Sequence, residues 1–311
     1  MTSATEQRYI PQWQEDFIQR HRLDTAYLET AHEWFAPLVQ KLAAHQKGAK
    51  RPILVALNGC QGSGKTTVCD FLCCAFEAEY QLQAVALSLD DFYLTSEQRQ
   101  ALASSVNPLL ATRGVPGTHD MALLRQTLEQ LLDTNRSEPV AIPRFDKSVD
   151  DRHPPSNWDF ITPPVQIVLL EGWCLGAQAQ SSAALSRAIN ALEETEDADG
   201  HWRTYSNTLL GSEFRALYQL VDQWIMLRAP SFECVFEWRR EQEQKLAATL
   251  PGGQAHKLMD DDALLRFIQH YERITRQCLE SLPEKVNHLF ELNRQRQIVA
   301  YTHRDQAGNF S

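Results

Sequence analysis

A chain of 311 residues, 43% hydrophobic and 23% charged, has an ordinary globular composition and room for one large α/β domain with additions, or for two small domains. Its formal net charge of −10 argues against a surface built to coat nucleic acid, which needs clustered Lys and Arg. No apolar run approaches the ~20 residues of a membrane span, and the polar start from Met1 to Ile10 lacks the apolar core of a signal peptide, so a cytoplasmic location is expected.

The first fifty residues read as helical. Trp34, Phe35, Leu38, Val39 and Leu42 recur at three- and four-residue spacing and give one apolar stripe. Residues 1–50 are therefore expected as an N-terminal helical extension across the outside of the main domain, with no chemistry of their own. The core begins at Ile53-Leu54-Val55-Ala56-Leu57, an apolar, β-branched run of strand length. Gly59-Cys60-Gln61-Gly62-Ser63-Gly64-Lys65-Thr66 follows and fits G-x-x-x-x-G-K-[ST] in full. After it, Val68, Phe71, Leu72, Ala75 and Phe76 repeat at helical spacing. Strand, glycine loop and helix in this order place phosphates at a helix N-terminus, in a nest of inward-turned N–H groups. Gly59, Gln61, Gly62, Ser63, Gly64, Lys65, Thr66 and Thr67 are the expected nucleotide-binding set. Lys65 would reach the β/γ-phosphates of ATP or GTP, and the Thr66 hydroxyl would hold Mg²⁺.

A second strand, Ala84 to Leu89, ends in Asp90-Asp91-Phe92-Tyr93. A helix near 95–104, a loop from Asn107 to Thr118 and a helix from Asp120 to Leu132 come next, with His119-Asp120 as the helix-start signal. Val140 to Pro164 is punctuated by prolines and charges and reads as an ordered functional loop or short lid. The third strand, Val165 to Leu170, runs into Glu171-Gly172-Trp173. Residues 177–220 read as mostly helical and polar, and the acidic tract from Glu193 to Asp199 as solvated surface. A fourth strand is expected at Gln223 to Leu227. A charged helix follows from Ser231 to about residue 250, broken by Pro251-Gly252-Gly253. Asp260 to Asp262 would cap a long helix with the stripe Leu264, Ile268, Tyr271, Thr275, Cys278 and Leu282, and His288 to Leu292 would be the last strand.

Strands alternating with helices predict a mainly parallel sheet covered on both faces, an α/β fold with helical N-terminal and lid additions. Ligands then sit at the carboxyl ends of the strands, where the glycine loop, Asp90-Asp91 and Glu171 all fall. The expected organisation is a nucleotide-binding domain over 51–300, with acceptor loops (107–164), a helical insertion (177–220) and a lid (231–260), then a tail (301–311).

Phosphoryl transfer needs a held nucleotide, Mg²⁺, positive charge on the migrating group and a group that orients the acceptor hydroxyl. Glu171 would bind Mg²⁺, and Asp90 would take the acceptor's proton. The alternative stays open that Asp90 or Asp91 is the metal ligand and Glu171 the assisting group. On the charged helix, Arg239, Arg240 or Lys245 would stabilise the charge on the transferred group. Arg113, Arg144 and Lys147, with Asp120 and Asp146 nearby, would bind an acceptor carrying a carboxylate and hydroxyls. The seven cysteines suggest no disulfide framework. Cys69, Cys73 and Cys74 read as packed helix thiols. Cys60, beside a helix N-terminus that lowers thiol pKa, is a passive loop residue or a redox-sensitive one.

Leu89-Asp90-Asp91-Phe92-Tyr93-Leu94, Arg113-Gly114-Val115-Pro116-Gly117-Thr118-His119-Asp120, Pro143-Arg144-Phe145-Asp146-Lys147-Ser148 and Leu170-Glu171-Gly172-Trp173 follow the glycine loop in that order. The set resembles the plant-type D-glycerate 3-kinase family and its fungal and bacterial relatives and, more distantly, is similar to pantothenate kinase, uridine kinase and phosphoribulokinase. The resemblance implies a P-loop NTPase fold, ATP and Mg²⁺ as cofactors, Asp90 as base, Glu171 with Mg²⁺, and Arg239 or Arg240 as the lid arginine. The implied reaction is ATP plus D-glycerate giving 3-phosphoglycerate and ADP. Competing expectations are a kinase for pantothenate or a nucleoside, with Phe145 and Trp158 available for stacking, and an ATPase switch without a small-molecule acceptor. No N-K-x-D guanine reader is present. A homodimer is the base-rate expectation for assembly.

Overall fold

The computed structural model describes residues 10–249 and 261–310, less the side chains of 242, 243 and 245–249. Residues 1–9, the expected break at Pro251-Gly252-Gly253, the far part of the 231–260 lid and the side chain of Lys245 lie outside the described residues. No described helix is long and apolar enough to cross a membrane.

Helices α1 (Gln12–His21) and α2 (Ala26–Thr30), a π-helical stretch at Ala31–Phe35 and α3 (Ala36–Gly48) precede strand β1 (Ile53–Gly59) and helix α4 (Lys65–Tyr80). Strand β2 (Ala84–Ser88) runs into a 3₁₀ turn at Leu89–Phe92. Helices α5 (Ser96–Ser105) and α6 (Met121–Leu132) flank the 107–120 loop. Then come β3 (Val140–Ile142), β4 (Phe145–Asp146), β5 (Asp151–Arg152), β6 (Asp159–Ile161) and β7 (Ile167–Gly172). The insertion holds α7 (Ser182–Leu185), α8 (Ala191–Glu196), α9 (His201–Leu209) and α10 (Arg215–Tyr218). Strand β8 (Gln223–Arg228), helices α11 (Glu233–Thr249) and α12 (Asp261–Ser281), and strands β9 (His288–Leu292) and β10 (Ile298–His303) complete the order.

The central sheet runs β10-β9-β8-β1-β7-β2, parallel throughout except for β10, which is antiparallel to β9. β1 lies between β7 and β8, with Leu57 opposite Glu171 and Gly59 opposite Leu227. Side chains alternate across a strand, so β1 feeds two apolar layers. Leu54 and Ala56 join the layer with α6 and α12, through Leu124, Leu128 and Cys278. Ile53, Val55 and Leu57 join the layer with α4 and the N-terminal helices. The first fifty residues therefore do more than cross a finished surface: Phe17 and Leu38 are fully buried, and Phe35 packs against Phe71 and Phe290. Each such side chain contributes roughly 1.5–3 kcal/mol of burial.

Two expectations need correction. Residues 301–311 are no tail. Tyr301 pairs with Phe290 in the β9–β10 ladder, and the Phe310 ring stacks on Trp224 at 4.0 Å. The sequence hides β10 because it is a half-exposed edge strand without a clean apolar alternation. The acidic tract is not solvated throughout: Glu193 and Asp197 are buried, Glu193 against Arg273 (2.6 Å) and Asp197 accepting from the Trp202 N–H (2.7 Å) and from Arg203 (2.8 Å). Their partners lie on α9 and α12, so charge pattern alone could not place them. Residues 140–164, expected as an ordered loop or short lid, carry two small antiparallel ribbons, β3–β6 and β4–β5. Strands of two or three residues are too short to show a period.

Candidate active site

The glycine loop closes tightly because its backbone goes where side chains do not fit. Gly62 and Gly64 have φ of +80° and +88°, and a Cβ on Gly59 would lie 2.5 Å from Ser63 Oγ. Helix α4 then starts at Lys65 with its first N–H groups facing the loop. Ser63 is buried with an unpartnered hydroxyl, Gln61 Oε1 is likewise buried and unpartnered, and Thr67 sits half-buried in the first helical turn. Cys60 is buried, and burial outweighs the pull of Lys65 and pushes its thiol up to about 12. A buried, protonated thiol fits the passive loop reading.

Glu171, near the end of β7, meets this loop. Its Oε1 accepts from the Thr66 hydroxyl at 2.9 Å, and its Oε2 lies 3.8 Å from Lys65 Nζ. Burial works to lower the Lys65 pKa, but Glu171 and Asp90 outweigh it and hold the ammonium above its usual value. Glu171 Oε2 is buried without a hydrogen-bond partner. A buried carboxylate oxygen with no hydrogen bond, beside a threonine hydroxyl at a phosphate loop, suits Mg²⁺, a hard cation that takes oxygen ligands. The residues present fit the ion.

Asp90 occupies the 3₁₀ turn after β2, held there by Ser88, whose hydroxyl accepts from the Asp90 N–H. Its Oδ1 accepts from the Tyr93 hydroxyl at 2.9 Å, and its Oδ2 from Lys147 Nζ at 2.6 Å. Burial opposes its charge, yet Lys147 and Lys65 outweigh burial and pull the carboxyl down to about 2. Tyr93 stacks on His119 at 4.6 Å. His119 is buried with both ring nitrogens unpartnered, and burial drops its pKa to about 4, so the ring is neutral.

Asp91 points elsewhere. Its Oδ1 accepts from the Phe145 N–H (3.1 Å) and its Oδ2 from Arg144 Nη1 (2.8 Å), and burial raises its pKa despite both bonds. Both oxygens tether the 144–145 segment, whereas Thr66 and Glu171 bond to each other. Arg144 also donates to Asp159 at 2.6 Å, which makes it a bracket between β2 and the ribbons rather than a free carboxylate clamp. Asp120 caps α6 by accepting from the Leu123 N–H and pairs with Arg152 at 3.2 Å. In these contacts it braces α6 against β5. Asp146 accepts from the N–H and hydroxyl of Ser148 in an exposed turn.

Arg113 pairs with Asp150, which Arg99 also holds at 2.7 Å, and both guanidiniums lie over the Phe145 ring at 5.3 and 5.6 Å. Gly114 beside it has φ +142°, and a Cβ there would lie 2.5 Å from the Tyr271 ring. Tyr271 donates to the Arg113 carbonyl at 3.1 Å, and Trp173 Nε1 to the Gly114 carbonyl at 3.2 Å. The buried amide of Asn58 donates to the carbonyls of Trp173 and Leu175 and so ties β1 to the same turn. Arg239 and Arg240 part company on α11: Arg239 is half-buried over Phe267, whereas Arg240 is exposed over Phe236. Arg99, Asp150, Arg152, Tyr93, Tyr271 and Asn58 escaped the sequence reading. Only Tyr93, inside the Asp90-Asp91-Phe92-Tyr93 run, carried a signal that could have found it.

The chain thus brings Lys65, Thr66, Glu171, Asp90, Lys147 and Tyr93 together at the carboxyl ends of β1, β7 and β2. No family model matches the chain. It is 30% identical over 246 residues to an uncharacterized kinase of Schizosaccharomyces pombe, covering 75% of this chain and 83% of that one. It is also 30% identical over 227 residues to the chloroplastic D-glycerate 3-kinase of Arabidopsis thaliana, covering 71% of this chain and 46% of that protein. Among solved structures, the D-glycerate 3-kinase of Cryptococcus neoformans superimposes with a TM-score of 0.71 at 26% identity, over 87% of this chain and 98% of its own. With this fold, this phosphate loop and these relatives, the chain belongs to the D-glycerate 3-kinase family of P-loop kinases, ATP-using phosphotransferases that act on small molecules.

Proposed function

We propose that the protein transfers the γ-phosphoryl group of ATP to a hydroxyl of a small hydroxy acid, D-glycerate giving 3-phosphoglycerate. The observation that carries this reading is the setting of Asp90. It is an ionised carboxylate fixed by Tyr93, beside the Lys65–Glu171 pair and facing a cation, Lys147, on the acceptor side. Asp90 orients the acceptor hydroxyl and receives its proton as the oxygen bonds to the γ-phosphorus. Lys65 follows the β/γ-phosphates. Thr66 and Glu171 would hold Mg²⁺, which when bound neutralises charge on the phosphate oxygens. Half-buried Arg239, rather than exposed Arg240, is the lid arginine of this reading.

Lys147 and Arg113 supply the positive charge that a carboxylate requires. Phe145 is only 9% exposed under two guanidiniums, which disfavours stacking of a nucleoside base on it. The test is incubation with ATP, Mg²⁺ and D-glycerate, with ADP release followed and the product read by ³¹P NMR. A phosphomonoester at the 3-position supports the proposal. Intact ATP binding with no phosphorylated glycerate overturns it.

A further inference from the structure

Asp90 is held by two unlike partners, and the difference between them bears on which hydroxy acids and alcohols can react. Tyr93, on Oδ1, is buried to 3% exposure and wedged against His119 and Phe145. Lys147, on Oδ2, is 61% exposed and stands at the tip of the β4–β5 ribbon, whose ladder has only two residue pairs. The first partner is fixed by packing. The second is a flexible side chain, 61% exposed, against a carboxylate that is only 28% exposed, so it can swing out, but parting the pair leaves Asp90 without its charge partner. Oδ2 is the oxygen whose partner can leave, whereas the phenol on Oδ1 is held by packing.

We infer, resting on the hydroxy-acid reading of the site, that Lys147 is a selectivity latch: it covers Asp90 Oδ2 until an acceptor carboxylate takes its ammonium, so that anionic hydroxy acids uncover the base and neutral alcohols do not. The other acceptor-side cations are tied down more firmly. Arg144 is bracketed by Asp91 and Asp159, and Arg113 shares Asp150 with Arg99. An incoming carboxylate replaces one ion pair of Lys147 with another. A neutral alcohol of the same size must break the Lys147–Asp90 pair with nothing in exchange. Once Oδ2 is exposed, the acceptor O–H proton passes to it and the acceptor oxygen bonds to the γ-phosphorus. The bond from that phosphorus to the β–γ bridging oxygen breaks, and ADP leaves. Lys147 is thus a specificity-determining residue, acting on the acceptor and through Asp90.

The experiment compares kcat/KM for D-glycerate and for glycerol in the wild type, Lys147→Met and Lys147→Arg, at saturating ATP and Mg²⁺. Losing a charge-assisted contact to the carboxylate should lower the D-glycerate value by ~10–100-fold in Lys147→Met. The glycerol value should rise, so the preference for the acid collapses, while the KM for ATP is unchanged. Lys147→Arg should restore most of the preference. An unmoved ratio in Lys147→Met, or a glycerol value that does not rise, would overturn the latch while leaving the kinase assignment standing. A wild-type enzyme that turns over neither acceptor would overturn the hydroxy-acid reading, and the latch with it.

Discussion

The two halves of the site are built in opposite ways. The nucleotide half is assembled from eight consecutive residues plus Glu171, and it leaves buried polar atoms without partners: Ser63 Oγ, Gln61 Oε1 and Glu171 Oε2. The acceptor half draws on α5, the 107–120 loop, both ribbons and α12, and although neutral His119 keeps two unpartnered ring nitrogens, its charges are already matched: Asp90 with Lys147, Asp91 with Arg144, Asp120 with Arg152, Asp150 with Arg99 and Arg113. A half with unmet hydrogen-bonding capacity is ready for a ligand that brings its own charge and metal. A half whose charges are paired binds by exchange, which favours ligands that offer an equivalent partner.

The largest effect should come from the nucleotide half. Lys65→Ala removes the cation that follows the phosphates and should lower kcat by about 10³-fold or more, with the circular dichroism spectrum unchanged. Near-normal turnover would break the comparison at its firmest point. Where the halves meet, Asp90→Asn should lower kcat by about 10²-fold and leave ATP affinity nearly intact, as measured by nucleotide titration. A collapse of Mg²⁺-dependent ATP binding instead would move Asp90 into the nucleotide half as a metal ligand.

Gly114→Ala probes the acceptor scaffold alone. With φ +142° and Tyr271 2.5 Å from the added carbon, it should cost about 1–3 kcal/mol in denaturant unfolding and raise the acceptor KM more than that of ATP. Equal changes in both KM values would deny that the halves are separable. The smallest effect is a pH dependence. His119 has its pKa depressed by burial from 6.5 to about 4, so the unfolded chain binds its proton first as pH falls. The stability that its neutral form supports is complete above pH 6.5, declines below it and is fully lost near pH 4. Between pH 7 and 5 this loss amounts to roughly 2 kcal/mol. His119→Phe should show a shallower decline over that range in parallel urea melts, and an identical slope would assign the loss to other groups, such as His288, which burial lowers to about 3.

The same contrast explains what could be read from the sequence. The strand-loop-helix of β1 and α4 is local, so periodicity and glycine spacing reveal it, and the Asp120 cap and the α12 stripe are legible for the same reason. The acceptor half is written in pairs distant in sequence: Asp91 meets Arg144 across 53 positions, and Arg99 meets Asp150 across 51. Residue type marked Arg144 and Asp120 as charged groups in ordered loops, but their partners make them braces. Asp91 illustrates the limit most sharply. It sits next to Asp90 in the same 3₁₀ turn after β2, and only the partners of its side chain set the two apart.

The most direct measurement is initial rates of ADP release with D-glycerate, pantothenate and uridine offered in parallel at equal concentration, with ATP and Mg²⁺ and the Lys65→Ala variant as background. The account predicts Lys65-dependent turnover with D-glycerate well above the other two. A preference for uridine or pantothenate would contradict it, and would mean that the paired charges of the acceptor half are scaffolding for a different ligand.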